Sequence, residues 1–96
     1  MPTYEAAPEF LDQHARLTPE DKKRFRAAVQ KLVEDLKSPD GKIRAGLRVK
    51  PYKSQQGVLE FTWAPDGRAL FMYGEELKPG ERHVVWLTIG THDIFA

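Results

Sequence analysis

The apolar residues of the chain keep two different periods, and the change falls just after residue 41. Phe25, Ala28, Val29, Leu32, Val33 and Leu36 recur three and four residues apart, the spacing that lines one face of a helix. Thr18 suits the N-cap of that helix, Pro19 its first position, and Asp21 lies three residues past the cap, where a carboxylate favours the helix start. The segment Ser38-Pro39-Asp40-Gly41 supplies the stop, because a residue before proline is biased out of the helical region and glycine turns the chain. Upstream, Pro8 fits the first turn of a shorter helix running to about Leu17, with Phe10, Leu11 and Leu17 apolar. Tyr4 fits a short opening strand.

From Ile43 onward the period is two, as in strands whose successive side chains face opposite sides. Leu47 and Val49 oppose Arg48 and Lys50, and Leu59, Phe61 and Trp63 oppose Val58, Glu60 and Thr62. Ala64-Pro65-Asp66-Gly67 reads as a turn and Arg68 to Tyr73 as a returning strand. An exposed loop from Glu75 to Glu81 then precedes a fourth strand, Arg82 to Ile89, which Gly90 ends. Alternation makes Trp86 the aromatic side chain most apt to be exposed. Helices followed by strands predict an α+β domain: two N-terminal helices packed on one face of a four-stranded antiparallel sheet, the other face open.

Composition narrows the chemistry. A chain of 96 residues suffices for one domain, residues 1–96, and not for two. The lack of cysteine removes disulfides, thiolate metal ligands and thiol catalysis. His14, His83 and His92 match no compact zinc spacing, and no glycine-rich phosphate loop precedes a helix, so neither a metal nor a cofactor is expected. No apolar run approaches the ~18 to 20 residues that cross a bilayer, and no basic region precedes an apolar stretch at the N-terminus, which makes the cytoplasm the expected location.

The formal net charge of +1 conceals an uneven layout. Residues 42–53 hold Lys42, Arg44, Arg48, Lys50 and Lys53 without an acid, and screening confines each charge to about a Debye length, ~8 to 10 Å, so a local basic stripe acts on its own. If Leu47, Val49, Leu59, Phe61, Ala69 and Phe71 turn toward the helices, Arg48, Lys50, Glu60, Thr62 and Arg68 share the open face. Cations on neighbouring strands suit phosphate, arginine through bidentate hydrogen bonds and lysine as a point charge; the plainer reading is a solvated face balanced by Glu60. His92, two residues past Gly90, adds a group that exchanges protons near neutral pH. His14 and His83 read as structural, and Lys22-Lys23-Arg24 with Arg26 as a solvated helix face.

The order of these pieces is similar to one known family. Two helices, Gly46-Leu47-Arg48-Val49-Lys50, Gly57-Val58-Leu59-Glu60-Phe61, Asp66-Gly67-Arg68-Ala69 and Ile89-Gly90-Thr91-His92-Asp93-Ile94-Phe95 together resemble the RelE/ParE superfamily of type II toxin-antitoxin toxins, over almost the whole chain. The RelE, YoeB and HigB branches are ribosome-dependent mRNA endonucleases acting in the A site, so the resemblance implies a metal-independent mRNA interferase that inhibits translation. It implies that Arg68 contacts the scissile phosphate, that His92 stands on the leaving-group side, and that Arg48, Lys50 and Lys53 grip RNA. Lys50 would also stabilise phosphate charge, Glu60 would be the base at the 2′-hydroxyl, and Phe95 would offer a stacking surface. Two closely spaced lysines of the family's middle strand align with Glu60 and Thr62 here. A cognate antitoxin is the implied partner. Two alternatives stay open: a ParE-like toxin that inhibits DNA gyrase without nuclease chemistry, and a nontoxic binding protein on the same scaffold.

Overall fold

The computed structural model describes residues 2–91. In chain order the elements are strand β1 (Thr3–Ala6), helices α1 (Pro8–Ala15) and α2 (Pro19–Lys37), and strands β2 (Lys50–Pro51), β3 (Leu59–Ala64), β4 (Gly67–Lys78) and β5 (Glu81–Thr91). The start of α2 is capped as expected: Thr18 Oγ1 accepts a hydrogen bond from the Asp21 amide at 3.1 Å, and Pro19 occupies the first turn. At its end the Ser38 hydroxyl donates to the Asp35 carbonyl at 2.7 Å, satisfying one of the acceptors that a helix terminus leaves open.

The strands form one five-stranded sheet in the order β1-β5-β4-β3-β2. Strands β2 to β5 are antiparallel to their neighbours, as the alternating pattern predicts, while β1 adds a parallel edge to β5, pairing Thr3 with His83 and Ala6 with Trp86. Phe61, Phe71, Leu32 and Ile89 are fully buried where α2 meets the sheet. Around them the rings of Phe10, Phe25, Phe61, Phe71 and Trp86 pack with centroids 5.2 to 6.3 Å apart, mostly tilted or edge-on, the geometry favoured by aromatic quadrupoles. Helix α1 is fastened to the sheet by Gln13, whose side-chain oxygen accepts from the Ile89 amide at 3.0 Å.

Several expectations are corrected. Trp86 is buried, at 5% exposure, among four other aromatic rings. The reason is a bulge: Leu70 pairs with Thr88 but Phe71 pairs with Trp86, which leaves Leu87 as an extra residue. The extra residue resets the alternation, so both Trp86 and Ile89 face the helices. Strand β5 continues through Gly90 to Thr91 instead of ending at Gly90, and β4 runs to Lys78, so the expected loop from Glu75 is mostly strand closed at Pro79-Gly80. The strand expected from the alternation of Leu47, Arg48, Val49 and Lys50 is limited to Lys50–Pro51. Ala45–Leu47 is a 3-10 turn and Arg48 is left-handed, with φ 50°.

Candidate functional site

The sheet face turned away from the helices carries two cross-strand rows. In one, Lys50 of β2 pairs with Glu60 of β3, which pairs with Leu70 of β4 and so reaches Thr88 of β5. In the next, Thr62 pairs with Arg68, and Arg68 pairs with Gly90. Glu60 and Arg68 are therefore diagonal neighbours, close enough for long side chains to meet, and Arg68 Nε lies 3.9 Å from Glu60 Oε1. The two side chains are 16% and 18% exposed, which shields the contact from most of the screening that weakens surface pairs.

Arg68 is held from its other end as well. Its Nη1 donates to the carbonyl oxygens of Gly67 at 2.9 Å and of Ala64 and Pro65 at 3.3 Å, wrapping the guanidinium around the β3–β4 turn. The Arg68 carbonyl in turn accepts from Trp63 Nε1 at 3.0 Å. Gly67 makes this closure feasible, since a Cβ there would lie 2.5 Å from the Trp63 ring. Every contact fixes the arginine at the end of the hairpin before any ligand arrives, which lowers the entropy lost on binding.

Beside the turn, Arg68 also borders a concavity of about 460 Å³ between α2, the 3-10 turn and the end of β3. Arg24, Lys31 and Arg48 line it with Arg68, and no carboxylate does so. Arg48 thus belongs to the arrangement, but on this concavity and not on a strand. The left-handed φ of Arg48 and the shortness of β2 explain the difference: the chain between α2 and β2 crosses the sheet edge as a turn. Lys50 and Glu60 share the open face as expected. Lys53 lies exposed in the connection between β2 and β3, outside the lining of the concavity. His92 and Phe95 lie outside the described residues. The contribution of Lys31, and of Arg24 beyond a solvated helix face, went unrecognised in the sequence, because the partner of that helix face is the β3–β4 turn, more than thirty residues away in the chain. Among the described residues, no group of three His, Asp or Glu side chains is placed to hold a metal ion.

His83 proves structural and deeply buried, at 3% exposure. Its Nδ1 hydrogen-bonds Thr3 Oγ1 at 2.8 Å and its Nε2 hydrogen-bonds Glu5 Oε1 at 2.7 Å, so the ring joins β1 to β5. His14 packs against the rings of Phe10 and Phe25, and partial burial together with Lys22 and Arg26 pushes its pKa down.

No protein-family model matches the sequence, and no curated protein matches it significantly. Solved structures do match. YafQ from Escherichia coli strain BL21(DE3) superposes with a TM-score of 0.70 over 99% of this chain and 98% of that one, at 13% identity. A chain of the E. coli DinJ-YafQ toxin-antitoxin complex gives 0.68 over 97% and 94%, at 14% identity. A chain of the RelB-RelE antitoxin-toxin complex from Methanococcus jannaschii gives 0.61 over 94% and 92%, at 9% identity.

The chain has the RelE-type toxin fold. Within that RelE-like scaffold, Arg68 at the end of the β3–β4 hairpin, the Lys50–Glu60 pair and the adjoining basic concavity form the candidate site. No described helix is long and apolar enough to cross a membrane.

Proposed function

We propose that this chain, acting as one domain over residues 1–96, is the toxin of a type II toxin-antitoxin system and a metal-independent mRNA endonuclease that works in the ribosomal A site of the cytoplasm. The observation that carries this reading is the immobilised Arg68 guanidinium, fixed by Glu60 and three turn carbonyls and bordered by Arg24, Lys31 and Arg48. A positive site prepared in advance is what a developing phosphorane charge requires.

The reaction is attack of the ribose 2′-oxygen on the adjacent phosphorus. The O2′–P bond forms and the P–O5′ bond breaks, leaving a 2′,3′-cyclic phosphate and a free 5′-hydroxyl. Glu60 takes the proton from the 2′-hydroxyl, Arg68 and Lys50 bear the charge on the phosphate oxygens, and His92 gives a proton to the departing O5′. The assignment of His92 is supported by its place in the sequence, two residues after Gly90, which pairs directly with Arg68. Arg48 and Lys53 hold the flanking RNA backbone, and Phe95 stacks on a base. The partner is a cognate antitoxin that covers the basic surface.

Purified protein added to ribosomes programmed with a defined message tests the reading. Fragments ending in a 2′,3′-cyclic phosphate, formed by the wild type and absent with Arg68→Ala, support it. An intact message under conditions where the protein is folded and ribosome-bound contradicts it.

A further inference from the structure

The concavity behind Arg68 has a feature that the cleavage chemistry leaves unused. Of the cations around it, Arg68 contacts Glu60, and Arg24 is paired with Asp21 at 3.0 Å and with Glu20 at 3.7 Å. Nearby Arg44 is tied to Asp35. Lys31 and Arg48 have no ion-pair partner among the described residues, and no carboxylate lines the concavity they border. Two uncompensated cations from different elements therefore face one opening, with Ala27, Ala28 and Gly46 between them. Those small residues leave the room: Arg24 and Lys31 stand seven positions apart on α2, about two helical turns, and alanines line the helix surface between them.

Arg48 strengthens the case. It is the one non-glycine residue with positive φ among the described residues, and nothing in its turn demands an arginine there, since asparagine or glycine adopts that backbone more readily. Such strain is costly and recurs at ligand clamps. The backbone is braced on the helix side of Arg48 by the Asp35–Arg44 contacts and closes with the Arg48 amide donating to the Ala45 carbonyl at 3.0 Å.

We infer that this concavity is a second phosphate subsite for single-stranded RNA, in which Lys31 and Arg48 grip the backbone of the same strand whose scissile phosphate lies on Arg68. The inference rests on the endonuclease reading for the identity of the strand and deepens it. Size favours one strand: about 460 Å³ lies within the range of small-ligand pockets and holds one nucleotide, and Thr62 on the lining adds a hydroxyl-bearing side chain to the cations. Continuity favours RNA over an acidic peptide, because Arg68 belongs to both the open face and the concavity.

The test measures binding without cleavage, so that it stays separable from catalysis. A short fluorescent 2′-O-methyl oligoribonucleotide, which lacks the attacking hydroxyl, is titrated by anisotropy over a series of salt concentrations. Lys31→Ala and Arg48→Asn are each expected to weaken binding several-fold, and the double variant to reduce the slope of log K on log salt by ~0.7, the value for one phosphate contact on a single strand. Lys78→Ala, at the far tip of β4, is expected to leave both unchanged. A nucleoside monophosphate at equal phosphate concentration is expected to compete poorly; full competition would replace the strand by a free nucleotide and overturn the inference. Superposition of the double variant on wild type in affinity and slope, with matching thermal melts, would overturn it too. If these variants lose binding while the wild type cuts no message, the subsite stands and the endonuclease reading fails.

Discussion

The Asp35 carboxylate takes three hydrogen bonds from Arg44: from its backbone amide at 2.9 Å, from Nε at 2.9 Å and from Nη2 at 2.8 Å. This contact fastens the segment after α2 to the last turns of the helix, four residues before Arg48. The charged hydrogen bonds from the Arg44 side chain, then that from its backbone, hold the Asp35 carboxyl at a pKa of about 2, below its ordinary 3.8. A carboxylate whose folded pKa is depressed stabilises the fold fully above the unfolded value and loses that contribution as pH falls through the folded one. Wild-type stability is therefore expected to decline between pH 3.8 and about 2, and Asp35→Asn to decline less over that window, read by urea unfolding at each pH. At neutral pH the same variant should speed amide exchange over residues 42–49 and weaken RNA binding.

Glu60 stands between two cations of the proposed chemistry, and its role separates by substitution. Glu60→Gln keeps the size and polarity of the side chain beside Arg68 but is too weak a base to take a proton. If Glu60 is the base, single-turnover cleavage on ribosomes should fall ~10² to 10⁴-fold, while oligonucleotide binding holds or tightens. Cleavage within a few-fold of wild type would reduce Glu60 to a positioning residue for Arg68.

His83 sets an order of stabilities. His83→Ala removes a buried ring and leaves Thr3 without its partner, at an expected cost of about 2 to 4 kcal/mol. Thr3→Val removes one partly buried hydrogen bond and should cost about 1 kcal/mol. Glu5, whose side chain is 65% exposed, should matter least, at about 0.5 kcal/mol for Glu5→Gln. Denaturant midpoints check the ranking, and equal effects at the three positions would contradict it.

Gly67 couples packing to the site. A Cβ would meet the Trp63 ring at 2.5 Å, so Gly67→Ala must displace the indole and its hydrogen bond to the Arg68 carbonyl. The expected loss is about 1 to 3 kcal/mol, as for overpacked cores, with a changed near-ultraviolet tryptophan signal and reduced activity. An unchanged signal would show that the turn relaxes around the methyl group.

Where one physical rule acts alone, the sequence could be read directly. The Thr18-Pro19 cap and the buried spacing of Phe25, Ala28 and Leu32 define α2, and strict alternation puts Glu60 and Thr62 opposite Phe61 and Trp63. Reading failed where a local irregularity changed the phase. The extra Leu87 turned Trp86 inward, and a left-handed Arg48 replaced a strand that Leu47 and Val49 had suggested. It also failed where the partner lies far along the chain: Thr3 meets His83 across 80 positions, and Lys31 meets the β3–β4 turn only after folding. Arg68 was legible because the turn Pro65-Asp66-Gly67 fixes its place at the start of a strand; its carbonyl cradle was not.

The central claim is that Arg68 serves RNA cleavage, and the most direct measurement is induced expression of wild type and Arg68→Ala at equal protein levels, with growth followed and messenger RNA ends mapped. Growth arrest by the wild type, accompanied by new ends inside coding regions, and loss of both in Arg68→Ala is the predicted result. Arrest without new RNA ends, or new ends that persist in a folded Arg68→Ala protein, would contradict it.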